Sequence, residues 1–376
     1  MGGKIGYNQA VNHFYGYDNA DTTFAQDDVQ QRFSTFDLSL DLFNSKLTQG
    51  DINYNVGLDF YTHNDNFNIG ETGIDVALDV TKWFSEKHPF RVTIGNDYTS
   101  YDGDTVDNTN NLLYIIPNFT YHADNFSAKI GAFMGQDGEG FHILPDIQAA
   151  YNLSGDKFTL IAGYTGEIEK NSFHSLSTYN PFINSQQRSL NTRKAHIYGG
   201  LKGRINTLEY EAKVGNIDYK NLGLYLNDTT DFKRFNVLYD DVSSFNIQGT
   251  IRLEVIKNLI LSGTIDVNTF TTDSIAAAYH LPNLELNIAA QYKMLEDKLT
   301  LKAELFNAGG ITYLDEAGLE QNTGALFDLS IGAEYQVTEM IGAFIDLNNV
   351  TNQKFERWYR YPNYGFNVLV GATVKF

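Results

Sequence analysis

The sequence predicts an all-β protein, a transmembrane antiparallel β-barrel of about 18 strands with 16–22 as the range. Three observations predict it. Apolar and polar residues alternate with a period of two in segment after segment along the 376 residues. Short and long breaks between these segments also alternate. Finally, the aromatic load is high, 24 Tyr and 26 Phe, while no apolar run approaches the ~20 residues of a membrane-spanning helix.

The alternation identifies the strands. Ile52, Tyr54, Val56, Leu58 and Phe60 alternate with Asn53, Asn55, Gly57, Asp59 and Tyr61. Phe158, Leu160, Ala162 and Tyr164 alternate with Thr159, Ile161, Gly163 and Thr165. The same pattern holds for Leu259, Leu261, Ile265 and Val267, for Leu299 to Leu305, and for Phe327 to Tyr335. Successive side chains of a strand point to opposite faces, so each segment has one apolar and one polar face. Burying so many apolar faces in a soluble sandwich would need an unusually large core. In a membrane barrel the apolar face meets lipid and the polar face lines the lumen.

The breaks give the order of elements. A first strand runs from about Ile5 to Tyr15. Tight turns fall at 47–51, 86–89, 124–125, 154–157, 206–207, 257–258, 296–297 and 337–339. Longer segments fall at 17–31, 102–111, 172–189, 221–240, 271–281, 308–324 and 351–363, with short outer breaks near Asn66 and Gly138. Tight turns on one side and longer loops on the other are the outer-membrane arrangement. Pro117 and Pro145 sit inside apparent strands, where bulges or strand ends are expected because proline cannot donate to the ladder. The whole of 1–376 reads as a single barrel domain, with no plug domain in this chain and no secretory signal before Lys4.

Composition narrows the function classes. Acidic residues outnumber basic ones 46 to 27, a net charge of −19, which speaks against nucleic-acid binding. Much of the acid lies in loops, as at Asp18, Asp21, Asp27 and Asp28. Asp102 to Asp104 and Asp240–Asp241 are weak cation-site signals and read more readily as turns. No metal site and no cofactor is expected, since there is no Cys and no His-Glu-x-x-His spacing. Nor is an enzyme expected. Gly-x-Ser-x-Gly is absent, and neither His63, near an outer strand end, nor His196, facing the lumen, has an evident nucleophile beside it.

Charges of both signs fall on inward positions. Lys202 and Arg204 lie across a tight turn from Glu209, Glu211 and Lys213; Arg252 and Glu254 precede Asp266; Glu285 and Lys293 precede Lys302 and Glu304. Neighbouring strands bring such groups within reach of each other. They read as a paired polar lining, with a selectivity filter as the alternative.

The last strand, Gly365 to Phe376, carries Phe366, Val368, Val370, Ala372, Val374 and Phe376 on one face. A chain ending on the aromatic residue of such a strand resembles bacterial outer-membrane proteins. The resemblance implies that Phe366, Val368, Val370, Val374 and Phe376 close the barrel and are read by the barrel-insertion machinery. The preceding stretch, with Leu347, Asn348, Asn349, Asn352, Phe355, Trp358, Tyr361, Pro362 and Gly365, is similar to the end of TonB-dependent receptor barrels. Tyr179-Asn180-Pro181-Phe182 looks like an outer loop of that family, especially of its Bacteroidota members. The motif covers about a tenth of the chain, whereas the strand rhythm covers all of it but is shared by every such barrel. The absence of a plug before Lys4 and the lower strand count depart from that family.

These readings imply a Gram-negative outer-membrane protein for uptake of a nutrient or other solute. Its partners would be outer-membrane lipid and lipopolysaccharide, and an energising partner or envelope proteins. Trp358, Tyr359, Tyr361 and Tyr364, with Tyr179 and Phe182, are the candidate ligand-binding aromatics of the outer loops; an interfacial girdle or loop packing is the structural reading of the same residues. A passive porin, with an inward-folded loop as a constriction, and an accessory barrel of an envelope complex are the rival functions.

Overall fold

The computed structural model describes residues 1–14, 25, 29–44, 50–103, 108–185 and 189–374. Asp18, Asp21, Asp27, Asp28, Asp104 and Phe376 lie outside the described residues. Among those described are twenty-two strands and one helix. Eighteen of the strands form one antiparallel sheet, in agreement with the count drawn from the breaks. Among the described residues no helix is long and apolar enough to cross a membrane. The fold is an all-β transmembrane antiparallel barrel.

The chain divides into two compact units. Unit 1 comprises Met1–Tyr151, Ala162–Ile197 and Ile217–Val242; unit 2 comprises Asn152–Ile161, Tyr198–Asn216 and Ser243–Phe376. Unit 1 is built on an antiparallel meander of eight strands. They are β1 (Gly2–His13), β2 (Gln30–Phe43), β3 (Ile52–Asp65), β4 (Gly70–Phe84), β5 (His88–Asp102), β6 (Asn108–His122), β7 (Phe126–Asp137) and β8 (Gly140–Asn152). Four strands follow that contribute residues to both units: β9 (Thr159–Glu169), β10 (Thr192–Ile205), β11 (Leu208–Asn227) and β12 (Phe235–Ile256). The helix α1 (Phe173–Tyr179) stands between β9 and β10.

Unit 2 continues the meander through β13 (Leu259–Thr272), β14 (Leu284–Met294) and β15 (Leu299–Gly309). A small hairpin of β16 (Thr312–Leu314) and β17 (Glu320–Asn322) interrupts it before β18 (Leu326–Gln336) and β19 (Ile341–Asn348). A second small hairpin, β20 (Glu356–Trp358) with β21 (Tyr361–Pro362), precedes the final strand β22 (Asn367–Val374). That strand pairs with β19, Ile345 opposite Val370 and Leu347 opposite Val368. Phe366, Val368, Val370 and Val374 are exposed.

The faces follow the alternation. On β4, Ile74, Val76 and Leu78 point outward and are exposed, while Glu71, Asp75 and Asp79 occupy the inner face. Exposed apolar side chains of this kind recur on the outer faces of β2 to β8, which is the band a membrane requires. The tight turns at Asn206 and Asn258 take left-handed φ values of 54° and 69°. Asparagine tolerates this conformation better than other non-glycine residues.

Two expectations are corrected. The segment 221–240 is not a long loop: β11 and β12 run on to Asn227 and from Phe235, leaving only 228–234 between them. The alternation of Leu222, Leu224 and Leu226 with Gly223, Tyr225 and Asn227 carries the strand onward. Pro117 causes neither a bulge nor a strand end. It lies inside β6, whose register with β7 is the same on both sides of an interruption at Ile116 and Pro117. Pro145 likewise holds register, opposite Ala132.

Glycines on the inner face make room for flat tyrosine rings. A Cβ at Gly95 would run into the Tyr114 ring, and one at Gly73 into the Tyr61 ring. Gly95→Val is therefore expected to displace Tyr114 and cost about 1–3 kcal/mol, the usual penalty of overpacking. Thermal unfolding in detergent checks this. Recovery of the loss in Gly95→Val/Tyr114→Ala assigns it to the ring; no loss in the single variant refutes the packing argument.

Candidate lumen site

The outer end of unit 1 is organised by the segment between β9 and β10, which folds onto the inner face. Ser172 caps α1, its hydroxyl accepting from the Ser175 backbone N–H at 3.2 Å. Glu71, at the outer end of β4, completes the attachment. Its two carboxylate oxygens accept from the Phe173 N–H at 2.7 Å and the His174 N–H at 3.1 Å, and the Tyr61 hydroxyl donates to it at 2.7 Å. A carboxylate is the right acceptor here, because the first N–H groups of a helix have no partner within it. Burial holds the His174 imidazole below its ordinary range, against the pull of Glu71 and Asp37. The contacts of the attachment run from carboxylate to backbone amide.

Phe173 fills the space beneath, edge-on to Phe33 and Tyr101 at 5.9 and 5.7 Å. His63 lies between Thr35 and Ser177, its Nδ1 2.8 Å from one hydroxyl and its Nε2 3.0 Å from the other. Sequence reasoning missed this serine, which lies 114 residues along the chain. The Ser177 hydroxyl also donates to the His174 carbonyl and is 2% exposed. The contact pins α1 and presents no nucleophile to solvent.

A second contact holds the segment at Phe182. Phe182 packs on Phe14 at 6.2 Å, and its carbonyl accepts from the Phe235 N–H at 2.9 Å. The Arg234 guanidinium lies between the Phe14 and Phe67 rings, 4.7 and 4.8 Å from their centroids. Phe14, Ile183, Leu224 and Phe235 are fully buried, so these outer loops have a small core of their own. Phe182 belongs to that core. Tyr179, 5.3 Å from Tyr225, remains half exposed.

A cavity of about 530 Å³ opens on the inner face of the same unit. Its floor is the buried cluster of Leu112, Phe133 and Ile168, with Tyr114, Ile116 and Leu144 packed against it. The Tyr114 and Phe133 rings stack at 5.7 Å. Around this apolar patch stand Lys129 with Asp146 at 2.5 Å, Lys170 with Asp97, and Arg91 with Asp79 at 2.5 Å. Asp75 also lines the cavity; its Oδ1 is shielded and has no hydrogen-bond partner.

In unit 2 some of the charges expected on inward positions form ion pairs. Arg204 pairs with Glu209, and Lys213 with Glu211 at 2.5 Å. Lys302 reaches Glu334 at 3.3 Å, and Glu304 accepts from Asn287 at 2.9 Å. Asp266 accepts from Asn246 and Gln248, each at 2.9 Å. Lys202, Arg252 and Glu254 are exposed. The final loop is divided. Trp358 and Tyr361 are buried, Trp358 5.3 Å from the buried His280. Tyr359 stacks on Tyr313 at 4.4 Å with the Arg360 guanidinium over it, and Tyr364 is 85% exposed. Among the described residues no three His, Asp or Glu side chains converge as metal ligands.

No protein-family model and no curated protein matches the chain. Solved structures do. The pyoverdine outer membrane receptor FpvA from Pseudomonas aeruginosa PAO1 aligns at 13% identity and TM-score 0.64, covering 92% of this chain and 62% of that one. The ferric enterobactin receptor PfeA from Pseudomonas aeruginosa aligns at 11% identity and TM-score 0.69, covering 100% and 67%. The copper transporter OprC aligns at 11% and 0.65, covering 92% and 66%. The chain thus spans 62% of the first of these. At such identities the likeness is one of fold, that of outer-membrane receptor barrels, and these proteins are receptors and a transporter rather than enzymes.

Proposed function

We propose that this chain is the membrane-spanning part of an outer-membrane uptake protein, which admits a solute along the inner face and works with an energising partner. The observation that carries the reading is the attachment of α1 to the inner face through Glu71. A segment held across the inner face of a receptor-type fold suits controlled passage better than free diffusion. The fold likeness to siderophore and copper proteins supports uptake. The same inward segment also suits a passive porin narrowed by a loop, so one measurement must separate the two.

That measurement is single-channel conductance in a planar bilayer. The intact chain is expected to show little steady conductance, and Glu71→Ala stepwise openings. Large, steady conductance from the unaltered chain would overturn the controlled-uptake reading in favour of the porin.

A further inference from the structure

The cavity in unit 1 has features that a polar barrel lining does not need. Its floor is apolar and aromatic, set among carboxylates and cations on an inner face where side chains would ordinarily meet water. Its volume falls within the range of small-molecule pockets, about 300–1,000 Å³. Its charges are unequally engaged. Lys129, Lys170 and Arg91 are each committed to a carboxylate. Asp75 is not: it forms no hydrogen bond or ion pair among the described residues, and its Oδ1 is closed off from water.

Register makes this more pointed. Asp75 stands directly opposite Asp59 on β3 and Asp97 on β5. Like charges at opposed positions destabilise a sheet, and of the three only Asp97 forms an ion pair, with Lys170. Beside them the Tyr114 and Phe133 rings offer faces that attract cations.

We propose that this cavity binds a small organic cation with a flat apolar body, its ammonium or similar group at Asp75 and its body against Tyr114, Phe133 and Leu112. The fixed ion pairs leave no lysine or arginine free to hold a carboxylate, which sets the sign of the preference. Charge complementarity and the aromatic floor select the same class of molecule. The site deepens the uptake reading and rests on it for access from outside the cell, yet binding itself is measurable without transport.

Isothermal titration calorimetry on the full chain in detergent tests it, with three probes of one shape: 2-phenylethylammonium, 2-phenylethanol and 3-phenylpropionate. The ammonium is expected to bind about tenfold or more tighter than the carboxylate, as a desolvated charge-assisted contact allows. Asp75→Asn should bring the two within about twofold, and Leu112→Trp, which fills the floor but leaves every charge in place, should weaken the ammonium about tenfold. Equal affinity of the three probes, or no binding by any, would overturn the proposal. So would an ammonium preference that survives both substitutions. A failure here with conductance behaving as proposed above removes the cation site and leaves the uptake reading standing. Selective binding together with large steady conductance removes the uptake reading instead.

Discussion

Glu71→Ala is expected to free α1 from the inner face while the strands keep their register. The substitution removes one acceptor and strands three donors: the Phe173 and His174 amides and the Tyr61 hydroxyl. A hydrogen bond to a charged group contributes about 1.5–3 kcal/mol. Partial rehydration of the freed groups lowers the sum, so a local loss of about 3–4 kcal/mol is expected. At 1.4 kcal/mol per decade, amide hydrogen exchange across 171–180 should speed up by two to three orders of magnitude. Exchange in β6 and β7 should stay as it was, because neither strand supplies a partner to Glu71. Glu71→Gln keeps the shape and one acceptor but turns an amide donor toward other donors, so it should fall between. Unchanged exchange across 171–180 in the alanine variant would mean that the apolar seat of Phe173 holds the segment alone.

The contrast between what the sequence disclosed and what it hid is physical. Strands were legible because lipid on one side and water on the other impose a period of two, residue by residue. Turns were legible where Asn206 and Asn258 permit left-handed backbone. The attachment of α1 was not, because Glu71 and Phe173 are 102 residues apart and nothing in Gly70-Glu71-Thr72-Gly73 marks that carboxylate off from a solvated one. The helix itself is seven residues long, too short for a periodic signal. The apolar floor did leave a trace: Leu112-Leu113-Tyr114-Ile115-Ile116 breaks the alternation by being apolar on both faces. For the final loop, burial divided residues that composition had grouped. Trp358 and Tyr361 went into loop packing, Tyr359 is half-buried against Tyr313, and Tyr364 kept an accessible ring. Nothing in a run of Trp, Tyr and Arg tells those fates apart, because they depend on where His280 and Tyr313 arrive from distant loops.

Lys170 offers the sharper test of the electrostatics, because two of its effects should run in opposite directions. Its ammonium is the cation beside Asp97, and its side chain is 9% exposed against 29% for the carboxylate. Lys170→Ala leaves Asp97 facing Asp75 across the β4–β5 ladder with nothing between them. Breaking a fully buried pair costs about 3–5 kcal/mol, and the partial exposure of Asp97 reduces this to about 2 kcal/mol. Asp97→Asn should cost less, since it removes one of two opposed charges and leaves Lys170 free to turn to Asp75. The double variant should therefore be more stable than Lys170→Ala alone, a coupling that a double-mutant cycle in detergent reads directly. Lost packing of the lysine stem would instead persist in the double variant and show no coupling. The same substitution leaves one more uncompensated carboxylate beside the apolar floor, so the less stable Lys170→Ala protein should bind 2-phenylethylammonium more tightly than the unaltered chain. A variant both less stable and weaker in binding would show that Lys170 shapes the cavity rather than balances its charge.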